Sequence, residues 1–183
     1  ILKNGTLLWN TTLSKYPGAV GITSSPVISK DHLIVGTFNQ SGGGGNVYSL
    51  DIYTGKIIWA AEMPSSVYFS SPGVADNRVF IGLMGRYNAS SFQYLPPYGL
   101  VCLNESNGNV LWLYTCDGSV ASSPTIHNRT VLFTSKDGYL HCLDFEGREL
   151  WNATINVSTS SPSVSGAVYV GAGGFDGLGA LYC

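Results

Sequence analysis

The groups in this chain capable of acid–base, thiol or metal chemistry are three histidines, four cysteines and eleven carboxylates. Their spacing assembles none of the sets that such chemistry needs. His32, His127 and His141 fall in three separate segments. His141 lies within an alternating apolar stretch, which points to a half-buried strand residue rather than a metal ligand. The carboxylates read as turn residues: Asp137 and Asp176 precede glycines, and Asp31 and Asp76 stand between apolar runs. Gly42 to Gly45 is followed by neither a helix pattern nor a Lys-Ser/Thr pair, so it is a tether and not a phosphate cradle. Cys102, Cys142 and Cys183 sit at equivalent places of a repeat in which another copy has Ser49, so each serves as a small buried side chain. Cys116 lies past Trp112, about 17 Å along the strand from the residues facing Cys102. A local Cys102–Cys116 disulfide is therefore not expected, and a longer-range or intermolecular partner for Cys116 stays open. On these grounds no catalytic, cofactor-binding or metal-binding residue is assigned.

The chemistry the sequence does advertise is covalent modification. Asparagine followed two residues later by Ser or Thr occurs at Asn4, Asn10, Asn39, Asn88, Asn104, Asn128, Asn152 and Asn156. Given the Ser and Thr content, chance would yield about two such acceptor sites for N-linked glycans. The excess predicts an exported protein, extracellular or at a cell surface, whose glycans replace the usual charged exterior. Charged residues are only 11% of the chain and the net charge is −2. That balance excludes a basic face for nucleic acid and a polybasic membrane segment. No apolar run reaches the length of a membrane span, and no signal peptide heads the chain; Ile1, lacking an initiator Met, reads as the start of a processed or truncated product.

What must position these groups is a repeated hairpin. Ser49 to Trp59 is matched at equal length by Cys102 to Trp112 and, one residue shorter, by Cys142 to Trp151. A fourth copy is divided between the chain ends, because Leu181-Tyr182-Cys183 followed by Ile1 to Trp9 aligns without a gap onto Leu140 to Trp151. A second element interleaves with the hairpins: Ser-Ser-Pro at Ser24, Ser70, Ser122 and Ser160, each followed by a turn and an apolar strand. Four antiparallel strands per unit make a propeller blade. The expected fold is all-β, a four-bladed β-propeller of four-stranded antiparallel blades over about 20–59, 66–112, 118–151, and 158–183 plus 1–9, the last completed by N- and C-terminal strands. Trp9, Trp59, Trp112 and Trp151 recur once per unit, so they are packing residues that dock one blade on the next. The units differ most in the loop between their second and third strands, and 86–98 is the longest insertion. Its Tyr87, Phe92, Tyr94 and Tyr98 form a candidate interaction loop.

The stretch Ser49-x-Asp51-x-x-Thr54-Gly55-Lys56-x-x-Trp59 resembles the tryptophan-docking motif of quinoprotein-like propellers, the PQQ-like repeat family. Asn104 replaces the Asp in the second copy, Asp144 is kept in the third, and Leu2 stands there in the divided copy. The resemblance implies a propeller in which Asp51 and Asp144 join the tryptophans in docking. It also implies that an enzyme of this kind would bind pyrroloquinoline quinone and calcium through clustered carboxylates and amides. Those clusters are missing here, so no cofactor is expected. The expected function is a non-catalytic structural or assembly module of a cell-surface or filamentous structure, associating with itself or with other surface proteins. The alternatives are a fragment of a larger quinone-dependent dehydrogenase and a ligand-binding propeller that uses the 86–98 loop. The expected closure pairs Thr6 to Trp9 beside Leu181 to Cys183, either within one molecule or on the next.

Overall fold

The computed structural model describes residues 5–13, 20–39, 44–173 and 179–183. Among the described residues every regular element is a strand. The first sheet contains β1 (Val20–Gly21), β2 (Val27–Ser29), β3 (His32–Asn39), β4 (Gly45–Asp51) and β5 (Ile57–Met63). The second contains β6 (Gly73–Ala75), β7 (Arg78–Leu83), β10 (Tyr98–Asn104) and β11 (Val110–Cys116), with a separate ribbon of β8 (Arg86–Asn88) and β9 (Gln93–Leu95) rising between β7 and β10. The third contains β12 (Thr125–His127), β13 (Thr130–Thr134), β14 (Tyr139–Asp144) and β15 (Glu149–Thr154). The fourth has β16 (Ser163–Ser165), β17 (Ala167–Ala172) and β18 (Ala180–Tyr182). Within each sheet successive strands pair antiparallel in chain order, apart from the short β1, which takes the free edge of β3 near its end.

The burial of these strands follows from stacking. The middle strands of the second and third sheets are apolar on both faces because each of these sheets lies between two neighbours; β10 buries every residue from Gly99 to Leu103. The outer strands face solvent, and β15 is exposed along its whole length. The core is accordingly divided into layers between sheets. Ile34, Val47 and Trp59 meet Val79, Ile81 and Leu103 between the first and second sheets. Phe80, Leu100 and Cys102 meet Phe133, Leu143 and Phe145 between the second and third. Leu132, Leu140 and Cys142 meet Val170 and Ala172 between the third and fourth. A smaller layer packs Trp9 and Leu13 on Val35, Tyr48 and Leu50 of the first sheet.

The hairpin register explains the small residue before each turn. Ser49 faces Trp59, Cys102 faces Trp112 and Cys142 faces Trp151, and each pair is followed by a register shift. A side chain of Ser or Cys size leaves room for an indole opposite, and the bulge adds twist at that point. Cys116 pairs with Tyr98, four residues along β10 from Cys102. All four cysteines are free thiols.

Of the two closures expected for the divided copy, the pairing within one molecule is not seen among the described residues. Residues 5–13 form no strand, and β18 pairs only with β17 among the described residues. Among the described residues the fourth sheet has three strands, and the segment bearing Trp9 docks on the first sheet, with Trp9 and Leu13 packed there, Thr11 donating to the Gly55 carbonyl and the Leu13 carbonyl accepting from Tyr48.

Candidate functional site

Three sheet junctions share one geometry. The hairpins turn at Gly55, Gly108 and Gly147, with φ of 69°, 75° and 82°. A Cβ on Gly55 would lie 2.4 Å from the ring of Trp9, on Gly108 2.5 Å from Trp59, and on Gly147 2.7 Å from Trp112. Glycine is required twice over, for the left-handed backbone and for the ring that rests on it. Each indole N–H then donates to a carbonyl of the same turn: Trp9 to Ile52 at 3.0 Å, Trp59 to Glu105 at 2.8 Å, Trp112 to Phe145 at 2.9 Å. The acidic docking residues work inside their own turns. Asp51 accepts the Thr54 N–H and hydroxyl, both at 2.7 Å, and Asp144 accepts the N–H groups of Glu146 and Arg148. Asn104 reproduces only one such bond, from Ser106. Trp151 departs from the pattern: it is 42% exposed and makes no hydrogen bond among the described residues. Gly5, its expected counterpart, has φ of 72° and nothing within 4 Å of its missing Cβ.

The Ser-Ser-Pro strands form a second, inner belt that the sequence reading had treated only as strands. The second serine of each unit accepts the N–H of its counterpart one sheet earlier: Ser25 to Ser71 at 2.8 Å, Ser71 to Ser123 at 2.9 Å, Ser123 to Ser161 at 2.9 Å. The first serine ties its strand to the next within the sheet, as Ser122 does in accepting the Thr134 N–H and donating to the Thr134 carbonyl. A cavity of about 660 Å³ beside this belt is lined by Phe69, Met84, Ser123, Lys136, Val157 and Thr159, among others. Among the described residues its lining carries no carboxylate or side-chain amide. Those donors do not fit a calcium-bound quinone, which needs several charged oxygen ligands.

The 86–98 insertion folds as the β8–β9 ribbon, with Tyr87 opposite Tyr94 and ring centroids 5.3 Å apart. Tyr94 stacks toward Tyr68 at 6.3 Å, and Tyr68 meets Phe38 edge-on at 4.5 Å. These rings wall a cleft of about 450 Å³ that also takes in Asn39 and Ser66. Burial, then the nearby Tyr68 and Tyr87, raise the Tyr94 phenol above its ordinary value, so it stays a neutral donor. Tyr98 sits at the foot of the ribbon, its hydroxyl donating to the Tyr94 carbonyl. Phe92 stands apart at the tip, 80% exposed. Of the four candidate residues, the structure thus brings Tyr87 and Tyr94 into one site and uses Tyr98 to hold it.

His141 is the residue whose surroundings the sequence hid. It is 5% exposed, with its ring stacked on Phe133 at 5.0 Å. Nδ1 lies 2.9 Å from Glu149 Oε1 and Nε2 lies 3.2 Å from Asp137 Oδ2. Burial works against a charged imidazole, but the hydrogen bonds and charges of Asp137 and Glu149 outweigh it and raise the His141 pKa. Burial likewise tends to raise both carboxyls, and their bonds to His141 hold them below the ordinary range. Cys116 comes from the neighbouring sheet, its Sγ 3.5 Å from Ser135 Oγ and 3.2 Å from the Gly118 carbonyl. Burial pushes this thiol up to about 11. The sulfur, an Asp137 oxygen and a His141 nitrogen all lie within 4.8 Å of one another. His32 and His127 make only local contacts, with Ser49 and Asn128.

The sequence pattern of the outer membrane protein assembly factor BamB matches residues 2–86 and 92–179. The chain belongs to the BamB family of PQQ-like repeat propellers. BamB from Moraxella catarrhalis is similar in structure, with a TM-score of 0.62 and 23% identity over 81% of this chain and 43% of that one. The computationally designed Ika4 protein superposes with a TM-score of 0.65 and 18% identity over 97% of this chain and 98% of its own. The tetrathionate hydrolase of Acidithiobacillus ferrooxidans is 23% identical over 133 residues, 64% of this chain and 27% of that enzyme. The chain therefore spans about a quarter of the curated relative it matches and under half of that BamB chain. At these identities the structural likeness establishes a propeller-like all-β fold.

The two matched segments break at 87–91, which takes in Tyr87 and the tip of the β8–β9 ribbon, while Phe38, Tyr68 and Tyr94 lie inside them. Of the acceptor asparagines, Asn10, Asn128, Asn152 and Asn156 are exposed and Asn39, Asn88 and Asn104 are partly so, while Asn4 lies outside the described residues. Asn88 Oδ1 caps the ribbon tip by accepting the N–H groups of Ser90 and Ser91. Asn152 and Asn156 donate through Nδ2 to Glu149 and to the Tyr182 hydroxyl. An N-linked sugar leaves one proton on that nitrogen, so such bonds do not exclude it.

Proposed function

We propose that this BamB-family chain is an exported, N-glycosylated, non-catalytic module of four blades that works by assembling with further copies or with other surface proteins. The observation that carries the reading is Trp151. It projects 42% exposed from a position where its sisters are seated on glycine turns, and the same chain carries Gly5 at a φ of 72° with nothing within 4 Å of its missing Cβ. A free donor indole and a left-handed glycine at the matching repeat position favour head-to-tail joining, which extends rather than closes. The family's description as an assembly factor is compatible with this role, and none of the seven described acceptor asparagines is buried.

The test is light scattering over a concentration series together with negative-stain images of the glycosylated protein. Oligomers or filaments that shorten in Trp151→Ala are expected. A species that stays strictly monomeric at high concentration overturns the assembly reading. Glycosylation is read separately, as a mass decrease of the secreted protein on treatment with an N-glycan-releasing amidase.

A second reading is favoured by one specific feature, the cleft walled by Phe38, Tyr68, Tyr87 and Tyr94. Aromatic walls with a few polar groups suit a flat, partly apolar ligand such as a sugar ring. Under this reading, shortening 86–98 to a tight turn abolishes ligand binding while thermal unfolding is retained, because the ribbon lies outside the stacked sheets.

A further inference from the structure

The cluster at the junction of the second and third sheets has the parts of a metal site, and they arrive from independent elements. Cys116 is the last residue of β11, Asp137 lies in the β13–β14 turn, and His141 is on β14. Ligand atoms around a tetrahedral zinc ion stand about 3.3–3.8 Å apart, as bond lengths near 2.0–2.3 Å require. The Asp137 oxygen and His141 nitrogen are 3.2 Å apart, and the set of three falls within 4.8 Å. Closing it takes a movement of about 1 Å by the sulfur, which a χ1 adjustment of about 30° supplies without a change of rotamer.

The surroundings supply what a metal-bound histidine requires. A ligating imidazole generally gives its other ring N–H to a carboxylate, which fixes the tautomer and orientation. Glu149 Oε1 stands 2.9 Å from Nδ1 and is held in turn by Asn152 Nδ2 at 3.2 Å. That leaves Nε2 turned toward Asp137 and Cys116. The side chains of His141 and Asp137 are 6% and 9% exposed, so the donors are sheltered from competing water.

We propose that Cys116, Asp137 and His141 bind one divalent zinc-like ion between the second and third sheets, with Glu149 as the residue that positions His141. Thiolate, imidazole and carboxylate together select zinc or cobalt over calcium or magnesium. Binding is a proton exchange: the Cys116 thiol releases its proton as the bond to the metal forms, and His141 ligates through an unprotonated Nε2, so affinity rises with pH. No electrons are transferred. The ion would fasten two sheets that are otherwise joined here by the Trp112 dock and the serine belt.

Cobalt(II) added to the reduced full chain gives the direct test, since a thiolate ligand produces an intense near-ultraviolet charge-transfer band. One cobalt per chain is expected, displaced by zinc, with a rise in the unfolding temperature. Cys116→Ser should remove the band and weaken binding by at least about tenfold, and Glu149→Gln should weaken it by about 10–100-fold while keeping the band. Cys183→Ser, at an exposed thiol, should change neither. His141→Gln removes a buried ring and can unfold the chain, so Asp137→Asn is paired with it; loss of affinity in the folded variant supports the site. Failure to bind cobalt stoichiometrically, a band that survives Cys116→Ser, or undiminished affinity in Asp137→Asn overturns it. Because the readout is metal binding, it stands or falls apart from the oligomeric state.

Discussion

Trp59 and Trp151 occupy the same place in the same repeat, yet one is 8% exposed and the other 42%. Trp59 lies on Gly108 and donates to the Glu105 carbonyl; Trp151 has neither contact among the described residues. What separates them is supplied by the neighbour, not by the hairpin that carries them. The filled junction also shelters Glu105, which is 2% exposed and paired with Lys30 of the first sheet at 3.2 Å. A dock thus organises polar groups around itself as well as burying an indole. At the open position the same hairpin presents an apolar ring beside exposed Leu150. A motif that is structural inside the stack becomes a contact surface at its end.

Removing the rings should break this contrast most visibly. Trp59→Ala is expected to cost about 3–5 kcal/mol in denaturant unfolding, the range for emptying a buried aromatic site. Trp151→Ala should stay within about 1 kcal/mol for the isolated chain, so equal losses would mean that the two docks are not different. The glycines sharpen the same point at smaller scale. Gly108→Ala meets both a positive φ of 75° and a ring 2.5 Å from the new Cβ, whereas Gly166→Ala meets a φ of 70° in open space. The second should lose about 1–2 kcal/mol for conformation alone, and the first measurably more. In the inner belt, Ser123→Ala deletes the acceptor of the Ser71 N–H and should cost about 1 kcal/mol. Ser25→Ala should be nearly neutral, since no Ser25 side-chain bond occurs among the described residues. Smallest is the acid response of the outer turns. Hydrogen bonds from the Thr54 hydroxyl and N–H hold the Asp51 carboxyl below its ordinary value. Its contribution is therefore complete above about pH 4 and is lost as pH falls through the lower folded value. Asp51→Asn should flatten that part of the stability curve below about pH 4.

Much of this architecture was legible because it is local. Ser49, Cys102 and Cys142 each precede a turn and face the tryptophan that ends it, so residue size, turn type and aromatic position are written within eleven residues or fewer. The absence of a Cys102–Cys116 bridge also follows from hairpin geometry, with Cys102 opposite Trp112 and Cys116 opposite Tyr98. The tyrosines of 86–98 mark an aromatic loop, but its pairing as a ribbon and its cleft need the fold, which brings in Phe38 and Tyr68 from two other segments. The serine belt left a trace in the fourfold Ser-Ser-Pro, and a reader attending to why two serines recur could have asked what they bond.

The sequence by itself determined the repeat, its hairpins and the docking chemistry of Trp, Gly and Asp, because each is fixed by turn and strand geometry over a few residues. Only the tertiary structure decided which docks are filled and what the stacked sheets bring together. Trp59 finds its carbonyl 46 residues away, and Cys116 reaches His141 and Asp137 from a different sheet. Such meetings depend on how sheets stack, and stacking is set by the sum of buried surfaces, which no short stretch of the chain encodes.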